Sequence, residues 1–178
     1  MRIGIVLLPD HETNNKVKMI SSILCEKFPC FFKLDSVHIP HLTLFHIDIY
    51  DHDLEKLLHQ VENIANLSRL ITVVPQALRS GTIAKTFIGV YFKNGKDILD
   101  LRQEILDKIS KYLLKLPKLL NPHITITRLK RDEDVANAIS EITSLLDKKY
   151  TFPRLGICEI GENGTCTKVI KSMELLGS

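Results

Sequence analysis

Two hydrophobic periods alternate along the chain. Met1 to Leu8 is a short unbroken apolar run that reads as a buried strand, stopped by Pro9-Asp10. From Asn14 to Phe28 the apolar residues Val17, Ile20, Ile23, Leu24 and Phe28 fall on one helical face. Cys30 to Leu34 reads as a short strand. His41 to Tyr50, rich in β-branched and aromatic residues and preceded by Pro40, reads as a longer one. Asp51 or Asp53 caps a helix whose apolar set is Leu54, Leu57, Leu58, Val61, Ile64 and Ala65. A strand at Arg69 to Val74 is closed by Pro75. Another at Thr86 to Lys93 turns at Asn94-Gly95 into a helix from Lys96 to Leu116, ended by Pro117. His123 to Leu129 reads as a strand and Asp132 to Lys148 as a helix. Tyr150 to Ile160 and Thr165 to Leu175 form a hairpin about Glu162-Asn163-Gly164.

Sliding the chain against itself by 82 residues superimposes this order of elements. His41 falls on His123, Thr43 on Thr125, the helix near 54 on the helix near 136, and the strand at 69–74 on that at 151–156. The expected fold is therefore α+β: one bilobal, internally duplicated domain over residues 1–178. Two mostly antiparallel sheets face a central cleft, with helices packed outside.

Composition narrows the classes. The chain has 178 residues, 44% hydrophobic and 25% charged, which excludes collagen-like and wholly disordered readings. A net charge of +3 permits a partner with a few phosphates without demanding an extended nucleic acid. No apolar run is long enough for a bilayer span or a signal-peptide core, so no membrane association and a cytoplasmic protein are expected. A monomer is expected too. Cys25, Cys30, Cys158 and Cys166 lack metal-site spacing and read as reduced thiols.

The chemistry concentrates in two segments, Pro40-His41-Leu42-Thr43-Leu44 and Pro122-His123-Ile124-Thr125-Ile126. Shuffling this composition gives one Pro-His-x-Thr in about two of a hundred sequences and two in about one of ten thousand. On a strand, His and Thr project from one face and the aliphatic residues from the other. Imidazole, with an unperturbed pKa of about 6.5, exchanges protons near neutrality. Two imidazoles flanking a phosphorus can act as base and acid in an in-line displacement, while the threonine hydroxyls donate to phosphoryl oxygens. This chemistry needs no metal and no cofactor.

These paired motifs, the Met1-Arg2-Ile3-Gly4-Ile5 strand and the duplicated plan resemble the 2H phosphoesterase superfamily, which includes 2′-5′ RNA ligase-like proteins and RNA 2′,3′-cyclic phosphodiesterases. The resemblance spans nearly the whole chain in element order and rests on about ten residues. It implies a cleft lined by His41, Thr43, His123 and Thr125, and an enzyme hydrolysing 2′,3′-cyclic phosphate ends of RNA or nucleotides. Cleavage of 2′-5′ linkages is the alternative within the class, and a non-catalytic nucleotide- or RNA-binding module the alternative outside it. An Arg often follows the second motif in the RNA ligase-like branch, which points to Arg128 as a phosphate contact. Strict alternation puts Arg128 on the far face, so that role requires a bulge or a strand end at Thr127.

Tyr91 and Phe45 are candidates for substrate binding by stacking. By alternation His46 falls off the catalytic face and reads as a structural histidine. His52 and His59 read as solvated helix residues, and His11 and His38 as loop residues near the rim. Lys115, Lys118, Lys130 and Arg131 bracket the second motif and could attract phosphates.

Overall fold

The computed structural model describes residues 1–81, 85–93 and 95–176. Strand β1 (Arg2–Leu8) is buried along all but its first residue because both its edges are paired. It runs antiparallel to β3 (Leu42–Asp48) on one side and to β9 (Arg154–Ile160) on the other. Helix α1 (His11–Lys27) starts before the apolar periodicity does, since Asp10 caps it by accepting from the Thr13 N–H at 2.8 Å.

The remaining strands extend this sheet. β10 (Cys166–Glu174) lies outside β9. Beyond β3 come β7 (His123–Leu129), β6 (Phe87–Phe92) and β5 (Pro75–Ser80), and β2 (Cys30–Phe32) also pairs with β7. A small second sheet joins β4 (Ile71–Val73) to β8 (Tyr150–Phe152). Helices α2 (Leu54–Ala65), α3 (Lys96–Ile109) and α4 (Val135–Ile142) bury apolar faces, α2 through Leu57, Val61, Ile64 and Ala65, and α3 through Ile98, Leu101, Ile105 and Ile109. All belong to one continuous core with the main sheet.

The duplication is visible in the order of elements. β3 is followed by a 3-10 turn at Asp51–Asp53, then α2, β4, β5 and β6; β7 is followed by a 3-10 turn at Asp132–Asp134, then α4, β8, β9 and β10. The two repeats exchange strands. β5 and β6, which follow the first motif, pair onto β7, while β9 and β10, which follow the second, pair onto β1. The two expected sheets are thus halves of one sheet, meeting where Leu42 of β3 pairs with Ile124 of β7.

Several boundaries differ from the sequence expectation. α3 ends at Ile109, well short of Leu116. After a 3-10 turn the chain extends along β3 instead, with Leu113 bridging Ile49 and the Leu114 N–H donating to the Asp48 carbonyl at 3.0 Å. Leu113 is thus an isolated bridge residue beside β3 and not part of the helix. α4 stops at Ile142 because the chain must turn to enter β8. Tyr150–Ile160 is broken at Pro153, which has no N–H to donate, so its two pieces serve different sheets. Pro75 opens β5 rather than merely closing β4. Of the expected Asn94-Gly95 turn, Asn94 lies outside the described residues. Asn163-Gly164 forms the β9–β10 turn, with positive φ at both residues (62° and 71°).

Candidate active site

Each motif histidine is fixed by the proline before it. A proline holds the preceding residue extended, which points that residue's carbonyl along the strand. The His41 Nδ1–H donates to the Ile39 carbonyl at 2.7 Å, and the His123 Nδ1–H to the Asn121 carbonyl at 2.7 Å. Because a carbonyl only accepts, the neutral ring carries its proton on Nδ1 in both cases, and the Nε2 lone pair is left for chemistry.

The Leu42–Ile124 pair brings the motifs together. In antiparallel register, His41 faces Thr125 and Thr43 faces His123 across the seam. The two histidines are diagonal neighbours, with Cβ atoms roughly 7–8 Å apart. A bulge then follows in each strand. The β1–β3 register skips Leu44, and the β6–β7 register skips Ile126. In consequence Leu44 and Phe45 both enter the core, as do Ile126 and Thr127, and the next residues, His46 and Arg128, return to the cleft face.

The cavity formed here has a volume of about 430 Å³, and its lining includes Thr43, His46, Tyr91, His123, Thr125 and Arg128. His41 lies deeper: it is 7% exposed and is not part of this lining. Tyr91 stands opposite His123 in the β6–β7 register. Its ring stacks on the imidazole at 4.9 Å between centroids, and the Arg79 guanidinium covers its other face at 4.7 Å. Gly89 keeps this space open, since a Cβ there would sit 3.1 Å from the Ile124 carbonyl oxygen and 3.4 Å from the His123 ring. Arg128 lies between the rings of Phe31 and Phe87 and donates to Asn163 Oδ1 at 2.7 Å. That bond ties the β9–β10 turn over the cavity, and a Cβ at Gly164 would come within 3.4 Å of His46.

The site is electropositive. Burial pushes His41 down to about 4, against the opposing pull of its carbonyl partner, and the nearby His123 charge adds to the depression. Burial also lowers His123, and the Arg102 charge lowers it further. Arg102, on α3 and 3% exposed, donates to the Thr43 carbonyl at 2.9 Å and the Leu120 carbonyl at 2.8 Å. It has no carboxylate partner among the described residues. Both shifts favour the neutral ring. A phosphate entering the cavity would supply the negative charge that favours an imidazolium.

Most of the expected residues converge on this cavity, and two expectations need correcting. Phe45 is 1% exposed and packs in the core, because the bulge at Leu44 turns it inward, so it cannot stack on a ligand. His46, expected off the face, is brought onto it by the same bulge. Its Nε2 is buried without a hydrogen-bond partner, and burial together with the His41, Arg2 and His123 charges holds its pKa down to about 4. The repeat offset carries the signal that alternation missed, since His46 plus 82 residues is Arg128. Among the other candidates, Arg131 is engaged with Asp134 at 2.7 Å, His38 stacks on Phe32, and His11 contacts Asn15 at the start of α1. Among the described residues no cluster of three His, Cys, Asp or Glu side chains is placed to hold a metal ion, and no helix is long and apolar enough to cross a membrane.

A duplicated α+β fold whose two halves each present a His-x-Thr strand to a shared cavity defines the architecture of a 2H phosphoesterase. The model of the 2′-5′ RNA ligase superfamily matches residues 28–163, and the chain belongs to that family. Among solved structures, E. coli LigT complexed with phosphate is similar with a TM-score of 0.63 at 12% identity, covering 98% of this chain and 96% of that one. TT0787 of Thermus thermophilus gives 0.70 at 13% identity over 99% of both chains. Usb1 of Kluyveromyces marxianus gives 0.55 at 12% over 98% of both. No curated protein is similar in sequence.

Proposed function

We propose that this protein is a metal-independent phosphoesterase that hydrolyses 2′,3′-cyclic phosphate ends of RNA or nucleotides, acting as a cytoplasmic monomer. The observation that carries this reading is the pair of Nδ1–H bonds to the Ile39 and Asn121 carbonyls, which leaves two Nε2 atoms free on facing motifs. One histidine withdraws a proton from water as it attacks phosphorus, and the other protonates the departing ribose oxygen. Thr43 and Thr125 donate to the non-bridging oxygens, and Arg128 contributes a fixed positive charge on the same wall. Tyr91 holds the His123 ring by stacking and offers the substrate an aromatic edge. The roles of acid and base belong to the pair.

The test is incubation with nucleoside 2′,3′-cyclic phosphates and with 2′-5′ and 3′-5′ dinucleotides, with and without chelator. Ring opening of the cyclic phosphate at the same rate in chelator is the expected result. Cleavage of only the 2′-5′ dinucleotide would move the protein to the alternative substrate class. Ligand binding without product from any of these would make it a binding module.

A further inference from the structure

Beside the catalytic cavity lies a second one of about 380 Å³. The two share Arg2, Thr43, His46 and Leu120 as a common wall, so they adjoin at His46. The far side of the second cavity comes from the extended segment after α3, through Lys115 and Lys118, and from Asp48 at the end of β3. Lys115 pairs with Asp48 at 2.9 Å. Arg2 and Lys118 have no carboxylate partner among the described residues. The cavity therefore holds two uncompensated cations, and the unpartnered His46 Nε2 lies in the wall between the chambers.

Catalysis at a single phosphate has no use for this arrangement. We propose that the second cavity is a subsite for a second phosphate group of the substrate, one nucleotide step from the phosphate held by Thr43 and Thr125. The proposal rests on the phosphoesterase reading above. Two sources carry that chemistry: the next phosphodiester of an RNA strand, and a terminal 5′-phosphate on a mononucleotide. Both are anions that Arg2 and Lys118 would pair with and that an imidazole at His46 would donate to once protonated. The same site would make the enzyme prefer RNA ends to bare cyclic mononucleotides.

The experiment is calorimetric binding of inert product-like probes at low salt: adenosine 2′-monophosphate, adenosine 2′,5′-bisphosphate, and the dinucleotide ApA ending in a 2′-phosphate. At least one of the two probes with a second phosphate is expected to bind about tenfold or more tightly than the monophosphate, with the advantage shrinking as salt rises. The probe that gains identifies the source. Lys118→Glu, a change at an exposed residue, should abolish the gain, and Lys118→Ala should reduce it in part. If the monophosphate binds and neither second phosphate adds affinity, or if the gain survives Lys118→Glu, the subsite is refuted and the phosphoesterase reading stands. If the monophosphate itself fails to bind, both are overturned.

Discussion

His46 and Arg128 are counterparts: each lies three residues beyond a motif threonine, just past a bulge, and each returns to the cavity wall. The duplicated scaffold thus holds a permanently charged guanidinium on one strand and a titratable imidazole on the other. This is the main break in the symmetry of the site. At neutral pH the His46 ring carries no charge, so on its side of the cavity the fixed charge is that of Arg2, while Arg128 supplies its own on the other strand.

Loss of Arg128 should therefore weaken substrate binding more than loss of His46. Arg128→Ala is expected to raise KM by about tenfold or more, as removal of a charge-assisted contact. His46→Ala should raise it by less for a mononucleoside cyclic phosphate at pH 7.5. Steady-state kinetics on the two variants check the order.

His41→Ala and His123→Ala should each lower turnover by about 10²–10⁴-fold, the usual worth of a positioned acid or base. The double variant should be little worse, because both groups serve one transition state. Thr43→Ala and Thr125→Ala should cost about 10- to 1000-fold, as loss of one phosphoryl donor. Rate measurements on purified variants with unchanged circular dichroism decide it, and wild-type turnover in either histidine variant would contradict the mechanism.

Free and ligand-bound enzyme should differ in pH dependence. In the free enzyme both histidine pKa values are depressed, His41 to about 4, so the form with one imidazolium is scarce at neutrality. kcat/KM should fall with rising pH above the higher of the two values, by up to about tenfold per pH unit. Bound phosphate raises both, so the bell in kcat should lie at higher pH. The apparent values belong to the coupled pair. Superimposable profiles would remove the electrostatic argument.

Buried neutral histidines also make the fold acid-sensitive. His41 and His46 have folded pKa values of about 4, below the value of 6.5 expected when unfolded. Above pH 6.5 both states are neutral at these rings and nothing is lost. Between 6.5 and about 4 the unfolded chain takes up protons that the native state refuses. Each ring then lowers stability by up to about 1.4 kcal/mol per pH unit. Urea unfolding from pH 7 to pH 4.5 should show this loss, and His46→Phe should make it shallower.

The two Pro-His-x-Thr segments, their offset and most of the strand and helix centres were legible because alternation and the 3.6-residue period report burial directly. Phe45 and His46 were not, since a bulge inverts the facing of everything downstream and leaves little trace in composition. Arg128 was recoverable only by asking what backbone would bring it to the face. The segment at 113–116 misled for a related reason: four residues with three leucines fit a helix or an edge strand, and only the pairing with Ile49 and Asp48 decides. Lys115 and Lys118 were legible as cations that could attract phosphate, but the second cavity they line was not, because its walls come from β1, β3 and a segment some seventy residues further on.

The exchange of strands between the repeats fixes when the site can come into being. β1 is made well before β9, yet they are neighbours. The roof over the cavity waits for Asn163 to meet Arg128. Until the final hairpin docks, β1 is a long apolar edge with no partner on that side, the kind of surface that recruits other chains. Binding competence is thus a late event in folding, and a ribosome-bound chain still lacking β9 and β10 would be a client for chaperones before it was an enzyme.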